Sequence, residues 1–267
     1  MPTLSRKWRI GALLGILALG LALRVAACFL IDRADKDAVE YIRSAECLVN
    51  EGPEAAFGRN PRMPPLYSTL IAAGEWTGAG AYCSGYAISV LFGALLALPV
   101  FFLSRALFGE AVALAAAFIC ATHPYFIKTS AEIIRDSLFL FLLFSSLALA
   151  FTGIKRFSLS KWFLAGVCCA LATLTRSESS EIIFAAIAWA LCCVALQFFD
   201  RRQRPEMRKS LAGLLSLLLG FAALSYPAER YLQSVGSTWG PLDSRFVKLV
   251  EGFANVTRQE AVEMESK

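Results

Sequence analysis

Ile133-Ile134-Arg135-Asp136-Ser137-Leu138-Phe139-Leu140-Phe141-Leu142-Leu143-Phe144-Ser145-Ser146-Leu147-Ala148-Leu149-Ala150-Phe151-Thr152-Gly153 is the stretch whose reading decides the fold. Its two ionisable residues stand near one end, and only apolar and small side chains follow. At about 1.5 Å per residue, a helix of this length crosses a hydrocarbon core of about 30 Å. Six further blocks of the same kind occupy residues 10–31, 82–104, 110–127, 162–175, 182–199 and 209–226. Block 162–175 is short and extends outward to Arg176. Leu66–Ala73 is shorter still and reads as a re-entrant or interfacial segment. Of 267 residues, 57% are hydrophobic and 18% charged, below the rough quarter expected of soluble domains. The chain reads as an all-α polytopic membrane protein with seven transmembrane helices.

The first block follows a basic Met1–Arg9 segment, yet its apolar length, broken only by Arg24, exceeds the h-region of a signal peptide. It is expected to be retained. Lys and Arg in the short loops set the orientation. Arg6, Lys7 and Arg9 share one side with Arg105, with Lys155, Arg156 and Lys161, and with Arg201, Arg202, Arg204, Arg208 and Lys209. The other side holds only Lys128, Arg135 and Arg176 in its short loops. The N-terminus is therefore expected in the cytoplasm, and loop 32–81, the 128–132 and 176–181 turns and the tail from Pro227 outside. The net charge of +5 follows from that asymmetry, and no nucleic-acid partner is expected. Of the eight cysteines, six lie within predicted spans, where they act as small apolar residues. Cys47 and Cys83 are the only pair that could meet outside the membrane.

Residues 1–235 read as one transmembrane domain and 236–267 as an outward polar tail. In the first outward loop, 32–81, Ala38, Tyr41, Ile42, Ala45, Leu48 and Val49 recur at helical spacing, while Asp37, Glu40, Arg43, Ser44, Glu46 and Asn50 take the other face. This predicts an amphipathic helix on the bilayer surface, ended by Gly52-Pro53 and followed by the turn Gly58-Arg59-Asn60-Pro61. The tail contains the sequon Asn255-Val256-Thr257, to which no role is assigned.

Four residues are candidates for chemistry. Asp37 precedes the loop helix, and Glu40 three residues on also fits a capping box; nearby Asp32 and Asp35 read as solvated. Arg62, in Arg62-Met63-Pro64-Pro65-Leu66-Tyr67, suits a lipid phosphate through its planar fork, or an ordinary headgroup. Asp136 enters a span, which makes it a functional candidate, or it pairs with Arg135 or Lys128. Glu132, one turn earlier, fits a cap with Thr129. His123 reads as a polar helix-end residue, and as the single histidine it leaves no His-rich metal site. Arg176 stands at a helix end, where Ser177 as a cap is a sufficient account. All four fall on the outward side by an orientation derived without them, and carboxylates with arginines at one lipid–water boundary suit a reaction on a lipid-linked phosphate.

Taken in order, these pieces resemble the type-C membrane glycosyltransferases, the polyprenyl-phosphate-sugar-using superfamily that includes protein mannosyltransferases and family-39-like enzymes. The resemblance runs through Asp37-Ala38-Val39-Glu40-Tyr41, Arg62-Met63-Pro64-Pro65-Leu66-Tyr67, His123-Pro124 to Asp136-Ser137-Leu138-Phe139, and Leu171-Ala172-Thr173-Leu174-Thr175-Arg176-Ser177-Glu178. Tyr226-Pro227 to Tyr231 resembles a later family segment more loosely. Ser177 stands where that superfamily usually has Pro, and Asp136 where Glu is common. The resemblance implies that Asp37 is the general base or acceptor-positioning carboxylate and Asp136 a second acid, the two helping to hold a divalent cation, Mg or Mn. Arg62, with Arg176, would contact the donor phosphate. The implied partners are a polyprenyl-phosphate-linked sugar, a glycan, lipid or protein acceptor, and membrane lipids, in a bacterial inner (plasma) membrane. Such proteins usually carry more spans, which implies an N-terminal half or a short form with a partner subunit supplying further helices. The rival reading is a non-catalytic membrane scaffold of the same fold. A small transporter is disfavoured, because the spans lack Gly/Pro-broken polar sites at the midplane.

Overall fold

The computed structural model describes residues 5–30, 36–199 and 204–240, and their side chains except at 6, 190, 193–199 and 204–207. Asp32, Asp35 and the Asn255 sequon lie outside these residues. Among the described residues the fold is helical without strands. Its α-helices are α1 (Arg6–Leu30), α2 (Lys36–Asn50), α3 (Pro53–Arg59), α4 (Pro65–Trp76), α5 (Ala81–Leu95), α6 (Ala97–Phe108), α7 (Glu110–Thr122), α8 (Pro124–Ser130), α9 (Asp136–Arg156), α10 (Leu159–Thr175), α11 (Glu181–Phe199) and α12 (Arg204–Ser234), with a 3₁₀ turn at Ser177–Ser180.

Each apolar block of the sequence falls on helix, and by length and apolarity fewer than seven helices among the described residues qualify as full spans. Among the described residues four helical stretches qualify: Lys7–Leu30, Ala81–Phe108, Asp136–Arg156 and Arg208–Ser234. A fifth exists if α7 and α8 count as one span bent by 53° at His123-Pro124. Helix α10 is apolar but short. The expected end of the last span at 226 also moves. Helix α12 continues through Pro227 to Ser234, although a proline within a helix sacrifices one ladder hydrogen bond.

Packing orders the bundle. α9, α10 and α12 form one continuous layer, α6 packs on both α7 and α9, and α1 packs on α5 and α7. Gly166 and Gly220 let α10 and α12 approach closely: a Cβ at Gly166 would lie 2.0 Å from the Leu217 carbonyl oxygen, and one at Gly220 2.1 Å from that of Phe163. One end of the bundle joins Arg9 to Glu110 at 3.1 Å and Lys155 to the Ala106 carbonyl. The opposite end carries α2, α4, α8, the start of α9 and the end of α10.

Helix α2 is amphipathic as read, but its apolar face meets protein rather than lipid. Ala38, Tyr41, Ile42 and Ala45 are buried in one cluster with Tyr67 and Ile71 of α4, Ile133, and Leu138 of α9. Leu66–Ala73 lies in α4, whose Tyr67, Ile71 and Ala72 are buried. Helix α4 is thus the platform on which α2 rests. Cys47 and Cys83 are both free thiols.

The bend at His123-Pro124 exposes a problem that Arg24 solves. Pro124 has no N–H to offer the Cys120 carbonyl, and the Tyr125 N–H donates instead to His123 Nδ1 at 3.2 Å. The carbonyls of Cys120 and Ala121 are left without their usual helical partners. Arg24, fully buried at 0% exposure, donates from Nη2 to Cys120 at 3.4 Å and from Nη1 to Ala121 at 2.9 Å. Its Nη1 also reaches the Gly20 carbonyl at 3.0 Å, and its Nε the Ser130 hydroxyl at 3.1 Å. In lipid, backbone groups must be satisfied within the protein, and a guanidinium spends its several donors there. His123 is therefore the helix-end residue the sequence suggested.

Candidate functional site

Asp136 opens α9, where its negative charge meets the positive end of the helix dipole. Residues 131–134 are not helical, so Glu132 does not stand one turn earlier on the same helix. Thr129 is no cap either: its hydroxyl donates back to the Tyr125 carbonyl at 3.1 Å inside α8. The partner of Asp136 is not Arg135 or Lys128 but Arg176, forty residues away in sequence, with Nη1 2.9 Å from Oδ1.

Arg176 follows the last residue of α10 in an extended conformation. The 3₁₀ turn after it is fixed by the Ser179 hydroxyl donating to the Arg176 carbonyl at 3.1 Å and sharing a 2.7 Å hydrogen bond with Thr173. No side chain caps this turn, so the Ser177 capping account falls. The guanidinium also reaches Glu178 Oε1 from Nη2 at 3.3 Å and lies over the Phe139 ring, 5.3 Å from its centroid. Its Nε is buried without a hydrogen-bond partner among the described residues. Burial opposes the charge on Arg176, but hydrogen bonds and attraction from Glu178 and Asp136 prevail and raise its pKa. The Glu178 carboxyl is correspondingly lowered: burial works against its charge, and a backbone N–H and Arg176 more than offset it.

Asp37 lies in the first turn of α2, not at its cap, because the helix begins at Lys36. It is exposed. Tyr41, one turn further along the same helix, is buried at 3% exposure and packs edge-on to Tyr67 with centroids 5.0 Å apart. Tyr67 is anchored in turn by a 2.7 Å hydrogen bond to Ser89. Burial pushes the Tyr41 phenol up to about 12; Arg135 and Arg176 pull it down, while Asp37 and Asp136 push it further up. One phenol therefore feels both candidate carboxylates and two arginines. Of the four candidates, the structure joins Asp136 and Arg176 in direct contact, and Asp37 shares with them only its influence on Tyr41.

Arg62 does not join them by any hydrogen bond or ion pair among the described residues. It is exposed on the turn between α3 and α4. The neighbouring Pro61 carbonyl accepts from the Thr238 N–H at 2.9 Å and the Ser237 hydroxyl at 2.8 Å. Trp239 then packs with Phe57, Leu174 and Leu232. The segment after α12 thus straps the Arg62 turn to the end of α10. Beside it lies an apolar groove of about 330 Å³ lined by residues that include Leu48, Phe57, Leu66, Trp76, Leu174 and Leu232.

Asp136 is already engaged by Arg176, and no three His, Cys, Asp or Glu side chains cluster as ligands among the described residues. Sequence reasoning missed two residues. Tyr41 stands on the apolar face of α2 and within the Asp37–Tyr41 stretch of the resemblance, but neither feature hints at the charges that act on it. Arg24 was noted only as a break in an apolar run, although a charge within a span is a signal by itself.

The sequence matches the dolichyl-phosphate-mannose-protein mannosyltransferase family over residues 63–227. The chain belongs to that family. As a family member it is a membrane glycosyltransferase of the type-C kind, which agrees with its apolar helices. The matched range takes in Asp136, Arg176 and helices α4–α11, while Asp37, Arg62 and helices α1–α3 precede it. Comparison with curated proteins finds no match for this family member.

Proposed function

We propose that the chain transfers a sugar from a polyprenyl-phosphate donor to a glycolipid, polysaccharide or protein acceptor at the outer face of a bacterial inner membrane, its N-terminus cytoplasmic. The observation that carries this reading is the Asp136–Arg176 ion pair at the end of the bundle that carries α2, where Tyr41 feels both of its charges and that of Asp37. The apolar groove ending near Leu174, two residues before Arg176, is of a kind that suits a lipid chain.

In the proposed reaction the acceptor hydroxyl gives its proton to the Asp37 carboxylate as its oxygen bonds to the sugar's anomeric carbon. The bond from that carbon to the phosphate oxygen breaks, and the polyprenyl phosphate leaves with the electron pair. Arg176, with its unpartnered Nε, and Arg62 on the adjacent rim neutralise the departing phosphate. Asp136 holds Arg176 in place, and Tyr41 remains a neutral hydrogen-bond donor at physiological pH. No step uses a metal.

Sugar release from a radiolabelled polyprenyl-phosphate-sugar, measured on the purified full chain in lipid nanodiscs, tests the reading. Asp37→Asn is expected to lower turnover by about 10²–10⁴-fold, the usual contribution of a general base, with expression and melting temperature retained. Undiminished transfer by that variant removes the catalytic assignment. Absence of transfer by the wild-type chain favours the scaffold reading.

A further inference from the structure

A second cleft lies where α2 packs on α3. It is about 360 Å³ and is lined by Glu40, Arg43, Ser44, Cys47, Ala56, Arg59 and Asn60. The two clefts occupy neighbouring faces of α2 and α3: Cys47 and Ala56 line this one, while their chain neighbours Leu48 and Phe57 line the groove. Its size falls at the low end of the range for small-molecule sites. Its walls are polar, whereas those of the groove are hydrocarbon.

The charges in this cleft are not spent on one another. Glu40 and Arg43 stand three residues apart on α2, a spacing at which helix neighbours readily pair. No ion pair forms between them among the described residues. Arg59 is occupied, with Nη2 2.7 Å from Glu51 Oε2 and Nη1 3.5 Å from Cys47 Sγ. Among the described residues, what remains open to a ligand is the Arg43 guanidinium, the Glu40 carboxylate, the Ser44 hydroxyl and the carbonyl end of Asn60. A guanidinium fork matches a phosphate or carboxylate, and a carboxylate with an amide accepts hydroxyl hydrogens.

Register links the cleft to the candidate base. Glu40, Arg43, Ser44 and Cys47 follow the one-face spacing of a helix, and Asp37 is three residues before Glu40 on the same stripe, about 4.5 Å along the axis. A sugar ring seated against Glu40 and Ser44 would lie within one helical turn of Asp37.

We infer that the α2–α3 cleft is an acceptor subsite that takes a hydroxyl-rich group bearing a phosphate or carboxylate. The inference rests on the transferase reading and narrows its acceptor to an acidic saccharide. Arg43 holds the anionic group, Glu40 and Ser44 hold ring hydroxyls, and one hydroxyl is presented toward Asp37.

The test is direct binding to the full chain in nanodiscs of neutral lipid, by equilibrium dialysis with glucose 6-phosphate, glucuronate, glucose and inorganic phosphate as probes. Saturable binding of the two acidic sugars is expected, with glucose and inorganic phosphate each at least about tenfold weaker. Arg43→Gln is expected to weaken the acidic sugars about tenfold, the loss of one charge-assisted hydrogen bond. Lys161→Gln at the opposite end of the bundle should leave them unchanged. No saturable binding of either acidic sugar overturns the inference. Inorganic phosphate binding as tightly as glucose 6-phosphate also overturns it, because the hydroxyls are then not read. A loss caused by Arg62→Gln but not by Arg43→Gln overturns it too, because the anion then sits at the donor position. Binding needs no turnover, so a chain that binds acidic sugars through Arg43 but transfers nothing refutes the transferase reading while retaining the cleft as their site.

Discussion

Arg24 and Tyr41 illustrate how a single polar side chain is constrained in this bundle. Arg24 lies in a span with no carboxylate partner among the described residues, and its guanidinium is matched to carbonyls that the proline after His123 deprives of helical donors. Arg24→Met removes that match and leaves the Cys120 and Ala121 carbonyls unsatisfied. A loss of about 2–4 kcal/mol follows, since each buried unpaired group costs about 1–3 kcal/mol. Arg24→Lys, with one point charge and no fork, should recover only part of it; thermal unfolding in detergent measures both. Tyr41 makes a prediction about alkali. Its folded-state pKa of about 12 lies above the ordinary value of 10.0, so its neutral form is favoured in the fold. That contribution is complete below pH 10 and is lost as pH rises toward 12. The difference in phenolate absorbance between wild type and Tyr41→Phe should show one group titrating near 12. A difference titration centred on 10 would mean that the phenol is solvated. Sequence alone could flag the charge of Arg24 but not its acceptors, because those arise only where two distant helices meet.

Helices were legible in proportion to how much of their reason is local. The apolar blocks and the α2 periodicity specify helix by pattern, and both are found. What α2 rests on was not legible: the same apolar face serves lipid or protein, and the choice is made by Tyr67 and Ile71 of α4. The ends of elements were least legible, because Thr129-to-Glu132 and Asp37-to-Glu40 have capping spacing whether or not a helix starts there. The pairing of Asp136 with Arg176 depends on α9 and α10 lying side by side. That contact continues to α12, where Gly166 and Gly220 remove the side chains that would hold the helices apart. Gly166→Ala places a Cβ 2.0 Å from the Leu217 carbonyl oxygen. The obstacle is backbone, so the helices must separate, at a cost of about 1–3 kcal/mol. Gly11→Ala, with nothing within 4 Å of its new Cβ, should be neutral or slightly stabilising, since alanine is the better helix former. Equal melting temperatures for the two variants would show that α10 and α12 are not in such close contact.

At the scale of the molecule, the fold and the charge distribution can be set against each other. Arg9, Lys155 and Lys161 belong to one end of the bundle, which the Arg9–Glu110 pair and the Lys155–Ala106 contact define. Asp37, Asp136, Arg176 and Tyr41 belong to the other, with the start of α5 beside them. The excess of Lys and Arg at the first end predicts that it faces the cytoplasm, which requires the candidate site to open outward, where lipid-linked rather than nucleotide-linked sugars would be met. Cys83, an exposed free thiol near the start of α5, reports on the site end, and a Ser160→Cys variant near the start of α10 reports on the other. In a background otherwise free of cysteine, a membrane-impermeant maleimide added to spheroplasts should label Cys83 at once and the Ser160→Cys variant only after permeabilisation. The reverse pattern would put Asp37 and Arg176 in the cytoplasm and remove the reason for preferring a polyprenyl-phosphate donor over a soluble one. Labelling of both without permeabilisation would mean that the bundle does not span the membrane in one fixed orientation, and the site would then have no defined face from which to draw its donor.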